Sequence, residues 1–344
     1  MTRTLRDLED LRTGTIVTSW RGGGLPVVRA LVRRSLAATF GPPPFDPAAD
    51  AGDAGLTGPG SPSWRVIAEP AAIAGGIRGL ILQTAHPLAM AGVHDHSAFR
   101  DDPLGRLQRT SAYVTTSVFG STREALTIAE RVRRVHPRVT GTAPDGRPYR
   151  ADDPHLLAWI GLALTSSFLT AHQRWAPQPL GPADADRFVL EQARIAALLD
   201  QRVDLDALRA DPTTGPTLRA GGLDDALPMV ADGTLPRDVA ELEASLDAFQ
   251  AELHVNDQAR ATLRFLRWPP LPLAVRGGYL TLYAGAVGSL RPRERQVLEL
   301  HRSPRAARAA VRNAQLALSA MRLSTGTSPS AELAATRAEP APAA

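Results

Sequence analysis

The chain has 344 residues, of which 44% are apolar, enough to bury a large core in one domain or two. It contains no lysine and no cysteine; arginine supplies all 39 cations against 35 acids, for a net charge of +4. These facts exclude Schiff-base and catalytic-amine chemistry, disulfides, thiolate-ligated haem, cysteine-held iron–sulfur clusters and zinc fingers. A charge this modest, with no basic patch interleaved with aromatics, gives no reason to expect a nucleic-acid partner.

In chain order, residues 1–40 read as a loosely helical arm with a glycine turn at 21–24. The start, MTRTLRDLEDLR, has no apolar run and does not read as a secretory signal, so a cytoplasmic location is expected. Residues 41–63 are rich in Pro, Gly, Ala and Asp and read as a linker. The division is therefore an arm and linker over 1–63, a helical domain over 64–322, and a disordered low-complexity tail over 323–344. The longest apolar run, 71–93, is interrupted by Arg78, Gln83, His86, Pro87 and four glycines. It reads as a buried helix, bent or broken near Pro87, and no stable membrane insertion is expected.

Residues 86–136 hold four of the eight histidines. A helix starts after Asp101-Asp102, with Pro103 at its first position. Arg106, Arg109, Thr110 and Tyr113 stand on it at i, i+3, i+4 and i+7 and share one face. That face suits either a site lining or a solvated surface. Leu104, Leu107, Val114 and Val118 fall on another side. A second helix opens with the capping box Ser121–Glu124. Its apolar stripe runs Ala125, Ile128, Ala129, Val132, Val135, His136, Val139. His136 takes a place where leucine would be expected, and Pro137 puts it in the last helical turn. An inward imidazole is either a hydrogen-bonded core histidine or a metal ligand. Spacing alone leaves both open and favours the core histidine.

Further on, Asp145-Gly146 marks a turn anchored by Tyr149, and Asp152-Asp153 caps a helix over 154–175. Helices are expected over 183–200, 236–253, 256–268, 273–290 and 292–321, punctuated by prolines, with 210–234 an extended loop. No run alternates with period two, so the class is all-α, a multi-helix bundle. His94-Asp95-His96 resembles a metal-binding tripeptide. In a helix its imidazoles would diverge by about 200°; in a loop they could converge, and a structural role in a loop is the plainer reading. There is no Glu-x-x-His pair, GxGxxG, P-loop or GxSxG in a suitable context.

The stretch QTAHPLAMAGVHDHSAFRDDPLGRLQRT, the capped helix ending RVHPRVTG, and then PYRADDPHLLAWI together resemble the MpaB-like oxygenase family, which shares its catalytic domain with the rubber oxygenases. The resemblance covers roughly residues 64–300. It implies an all-helical, globin-like core binding haem b, with His136 in the position of the iron ligand. It also implies that Arg106, Arg109 and Thr110 match the motif lining the other side of the haem, with Tyr113 on the same helix face. On this reading Arg106, Arg109 and Thr110 are catalytic, while His136, Arg106, Thr110 and Tyr113 hold the cofactor. The partners are O2 and a hydrophobic, unsaturated or isoprenoid small molecule, with a homo-oligomer left open. Two positions depart from the family's pattern. Arg109 stands where the rubber oxygenases have a lysine, and a guanidinium has no lone pair to offer iron. Upstream, where they carry a catalytic acid, this chain has Gln83, His86 and Met90. The alternatives are a haem or gas-binding module without turnover and a haem-free lipid-binding protein.

Overall fold

The structure, a computed structural model, describes residues 41–97, 102–271, 273–326 and 328–339. The expected arm over 1–40 lies outside the described residues. Sixteen α-helices and one two-stranded hairpin are described, so the all-α class holds; a globin-like arrangement is not established by it.

Two helix pairs make the core. Helix α1 (Pro62–Ala68) leads into α2 (Ala71–Gln83), which lies along α6 (Pro154–Trp175). The close approach follows from α2's small residues. A Cβ at Gly75 would stand 2.9 Å from the Phe168 ring, and one at Gly79 would stand 2.9 Å from Leu164. Trp159 and Trp175 of α6 are fully buried. Helix α6 is long and apolar enough to cross a membrane, yet 67% of that stretch is buried inside the protein, as befits a core helix. The second pair is α13 (Leu273–Ser289) and α15 (Pro304–Thr325), tied to α6 where the Trp175 indole donates to the Val311 carbonyl at 3.1 Å. Between the pairs, Arg78 of α2 donates to Glu294 at 2.7 Å and to Ser167 at 2.8 Å, with both charged side chains 2% exposed.

The apolar run breaks near Pro87 as expected. The chain leaves α2 at Thr84, and α3 (Pro87–His96) starts afresh with His86 as its N-cap. Helix α4 (Pro103–Phe119) is capped by Asp102, and α5 (Thr122–Val135) by the Ser121–Glu124 box. A 3-10 turn (His136–Arg138) follows, then strands β1 (Thr140–Thr142) and β2 (Pro148–Arg150), antiparallel with Gly141 opposite Tyr149. Three-residue strands are too short to show alternation, which is why the sequence hid them.

Helices α7 (Pro182–Ala197), α8 (Leu205–Ala210), α9 (Thr214–Ala220), α10 (Pro228–Ala231), α11 (Val239–Ala248), α12 (Asp257–Arg267), α14 (Pro292–Val297) and α16 (Pro329–Ala338) complete the order. Two segments differ from the sequence reading. Residues 210–234 are not an extended loop but carry two short helices and a 3-10 turn, packed through Leu218, Leu227, Met229 and Val230. In the expected disordered tail, α16 forms and buries Ala331, Ala334 and Arg337; burial rather than composition orders it.

Candidate functional site

One large pocket, of about 470 Å³, opens between the helix pairs and α4. Its walls are mostly apolar, from Ile73, Leu80, Met90, Val93, Ile160 and Phe168. Its lining also draws on chain segments far apart in sequence: 42–44, 269–271 and 328–330. Polar groups are sparse. Among them, the Tyr279 hydroxyl donates to the Leu266 carbonyl, and Glu69 pairs with Arg322.

The four residues expected to share a face on α4 part company here. Arg106 and Thr110 line the pocket; Arg109 and Tyr113 do not. At 100° per residue the four span about 100°, and the wall is centred on Leu107 and Val114, the side read from sequence as separate. Arg106 and Thr110 sit at its near edge. Arg109 lies beyond it, 65% exposed and bonded to Asp102 at 3.2 Å. Tyr113 turns the other way, its hydroxyl 3.4 Å from the Ile195 carbonyl, and burial raises its pKa far above the ordinary phenol value. Ser111, with Leu107 and Val114, is a wall residue the sequence reading passed over; the apolar stripe carrying a serine was the available signal.

Arg106 donates to Ser97 Oγ at 3.0 Å. Burial pulls its pKa below the usual guanidinium value, with neighbouring Arg109 adding to the effect. Thr110 Oγ1 donates back to the Arg106 carbonyl at 3.1 Å, so its proton is engaged and only its acceptor capacity is free.

His136 is the C-cap of α5 and is half-buried. Its Nδ1 is buried with no hydrogen-bond partner, and burial pushes its pKa down, so the ring is neutral. Val135, expected on the inward stripe, is 55% exposed, because the helix gives way to the 3-10 turn there. His136 is not on the pocket wall, but its turn and the wall share an anchor at the end of α3. Val139 and Tyr149 are the neighbours a Cβ at Gly92 would meet, His96 Nε2 bonds the Thr140 carbonyl at 3.0 Å, and Ser97 holds Arg106.

His94-Asp95-His96 falls in the last turn of α3, not in a loop. His94 bonds Asp95 at 3.0 Å, and the Tyr149 hydroxyl donates to Asp95 at 2.7 Å. The tripeptide pins α3 to the hairpin, and its two imidazoles have separate partners.

A cluster the sequence did not reveal joins His86, His155 and Glu252, whose donor atoms lie within 4.8 Å of one another. His155 Nε2 is 3.0 Å from both Glu252 oxygens, and His86 Nε2 is 3.3 Å from one. His86 Nδ1 accepts from the Ala89 N–H at 3.5 Å, which places the ring proton on Nε2, facing the carboxylate. Burial pushes the His86 pKa down. For Glu252, bonding to the two imidazoles outweighs burial and holds its pKa low. Glu252 lies 97 residues from His155, so no local spacing announces it.

The donor chemistry fits a haem in part. A buried neutral imidazole lacks a partner, and a guanidinium and a hydroxyl edge an apolar cavity beside the same anchor. No curated protein and no solved structure matches the chain. The family described as ER-bound oxygenase mpaB/B'/rubber oxygenase, catalytic domain, matches residues 64–323, most of the chain. On that match, the protein belongs to the MpaB/rubber-oxygenase catalytic-domain family.

Proposed function

We propose that the chain is a haem b-dependent oxygenase acting with O2 on a hydrophobic small molecule held in the 470 Å³ pocket. The observation that carries this reading is His136 Nδ1: a buried, unpartnered nitrogen on a neutral ring, in a chain of an oxygenase family. His136 would be the iron ligand. Arg106 would pair with a propionate or orient the reactants, and Thr110 would present its hydroxyl oxygen at the edge of the site. When bound, haem supplies the activation of dioxygen. The chain's own part is to exclude water with the apolar wall, to keep the His136 ring neutral and to hold Arg106 in place through Ser97. Arg109, exposed and bonded to Asp102, is assigned no contact with substrate.

The test is an absorption spectrum of the protein expressed with ample haem. A Soret band at one haem per chain, lost in His136→Ala while the fold survives, is the expected result. A colourless wild-type protein would remove the haem reading. Should iron or another metal then copurify without a Soret band, His86, His155 and Glu252 become the candidate centre, since two imidazoles and a carboxylate suit a non-haem metal. Glu252→Gln would abolish that binding.

A further inference from the structure

The chain-wide charge balance conceals a segregation. Residues 258–331 hold twelve arginines and only two acids, Glu294 and Glu299. Glu294 is buried against Arg78, and Glu299 is engaged by Arg260. This stretch builds most of α12, all of α13 and α15, and with them part of the pocket lining.

On α15, Arg305, Arg308, Arg312, Leu316 and Leu323 fall within one arc of about 80°. All five are exposed, and the helix has no acidic residue. Its opposite side, with Ala307, Ala310, Ala314 and Leu318, is buried. Helix α13 runs antiparallel to it, with Gly285 against Ala314 and Gly288 against Ala307. Leu273, at the start of α13, therefore comes to the Thr325 end of α15, where Met321, Thr325 and Gly326 line the pocket. Leu273 is 81% exposed and Trp268 is 60% exposed. Residues 269–271, between them, line the pocket. Arg264 and Arg267 are exposed beside this loop, with the Arg267 guanidinium 5.9 Å from the Trp268 ring.

Single exposed leucines are ordinary. Here four exposed large apolar side chains belong to elements that line one pocket or flank its lining, amid cations whose local counter-charges are buried or engaged. We propose that this face docks peripherally on an anionic phospholipid bilayer, so that an apolar molecule dissolved in the membrane enters the pocket without crossing water. Arginines on α15 and at the end of α12 would meet lipid phosphates. Trp268, Leu273, Leu316 and Leu323 would reach the headgroup–acyl boundary, where tryptophan is favoured. The docking stands on charge and exposure alone; the delivery of substrate rests on the pocket reading given above.

The test is sedimentation of the full-length protein with vesicles of phosphatidylglycerol and phosphatidylcholine in equal parts, and with phosphatidylcholine alone. Binding is expected with the anionic vesicles only, and it should weaken as salt rises to about 0.5 M. At about fivefold per arginine, the triple variant R305E/R308E/R312E should lose at least about 100-fold in partitioning. Trp268→Ser with Leu273→Ser should also weaken binding. All five changes are on exposed side chains, and unchanged melting would confirm folding. Wild-type protein left in the supernatant with anionic vesicles would overturn the proposal; so would binding that the triple variant leaves intact. Occupation of this face by residues 1–40 or by an acidic protein would give the first of these results. His136→Ala should bind vesicles as wild type does, which separates the fate of this proposal from that of the haem reading.

Discussion

Burial withholds water from His136 Nδ1, and no protein group replaces it. An unsatisfied buried polar atom costs about 1–3 kcal/mol, a cost that coordination to a metal would offset. The haem-free His136→Leu protein is therefore expected to melt no lower than haem-free wild type, while haem uptake is lost; calorimetry and titration with hemin check the two halves. Arg78 presents the opposite case, a buried charge fully dependent on its partner. Glu294→Leu leaves Arg78 buried without a carboxylate and should cost about 3–5 kcal/mol in denaturant unfolding, while R78M/E294L should recover most of that loss. The place of His136 at the end of its helix was legible in the sequence because the Ser121–Glu124 box fixes where that helix starts and hence its register. Glu252 was not, because its two partners reach it across 97 and 166 residues. Arg109 was assigned with Arg106 and Thr110 on the motif resemblance, and Tyr113 on helical spacing, which shows which residues share a face but not where that face ends.

Helix starts were the most readable elements. Asp102, Ser121 and Asp153 cap as their sequence context implies, and each accepts a backbone N–H of the first turn. What escaped was order imposed from outside the element. Helices α9 and α10 sit among Gly, Pro and Asp, and α16 is written in Ala, Glu and Thr; all three are held by burial of a few side chains. Packing distance was equally hidden. Helices α13 and α15 touch at Gly285 and Ala314, where an added side chain has no room. Gly285→Val should destabilise by about 1–3 kcal/mol through overpacking, whereas Gly277→Ala, in open space on the same helix, should not; paired melting curves would show the contrast.

For the molecule as a whole, acid is the expected weakness. His172 is buried, neither ring nitrogen makes a well-formed hydrogen bond, and burial pushes its pKa down to about 4 against a weaker pull from the Gln178 backbone. The unfolded chain binds a proton at that ring near pH 6.5, the folded chain only near 4. Stability is therefore full above about 6.5 and falls as pH drops toward 4, by on the order of 3 kcal/mol from this residue. His172→Gln should flatten that part of the melting temperature–pH curve. Helix α16 has a different kind of consequence. Arg337 donates to the carbonyls of Phe119 at 2.8 Å and Asp53 at 3.0 Å, and Gly52 N–H donates back to the Arg337 carbonyl at 2.7 Å. The earliest described loop is thus fastened by nearly the last described residue. During synthesis, α2 and α6 can meet once the chain has grown past Trp175, but that loop must wait until Arg337 has left the ribosome. A ribosome stalled within α15 would display an apolar cavity with one side missing, and such nascent chains should be cut readily by proteases near residues 41–63.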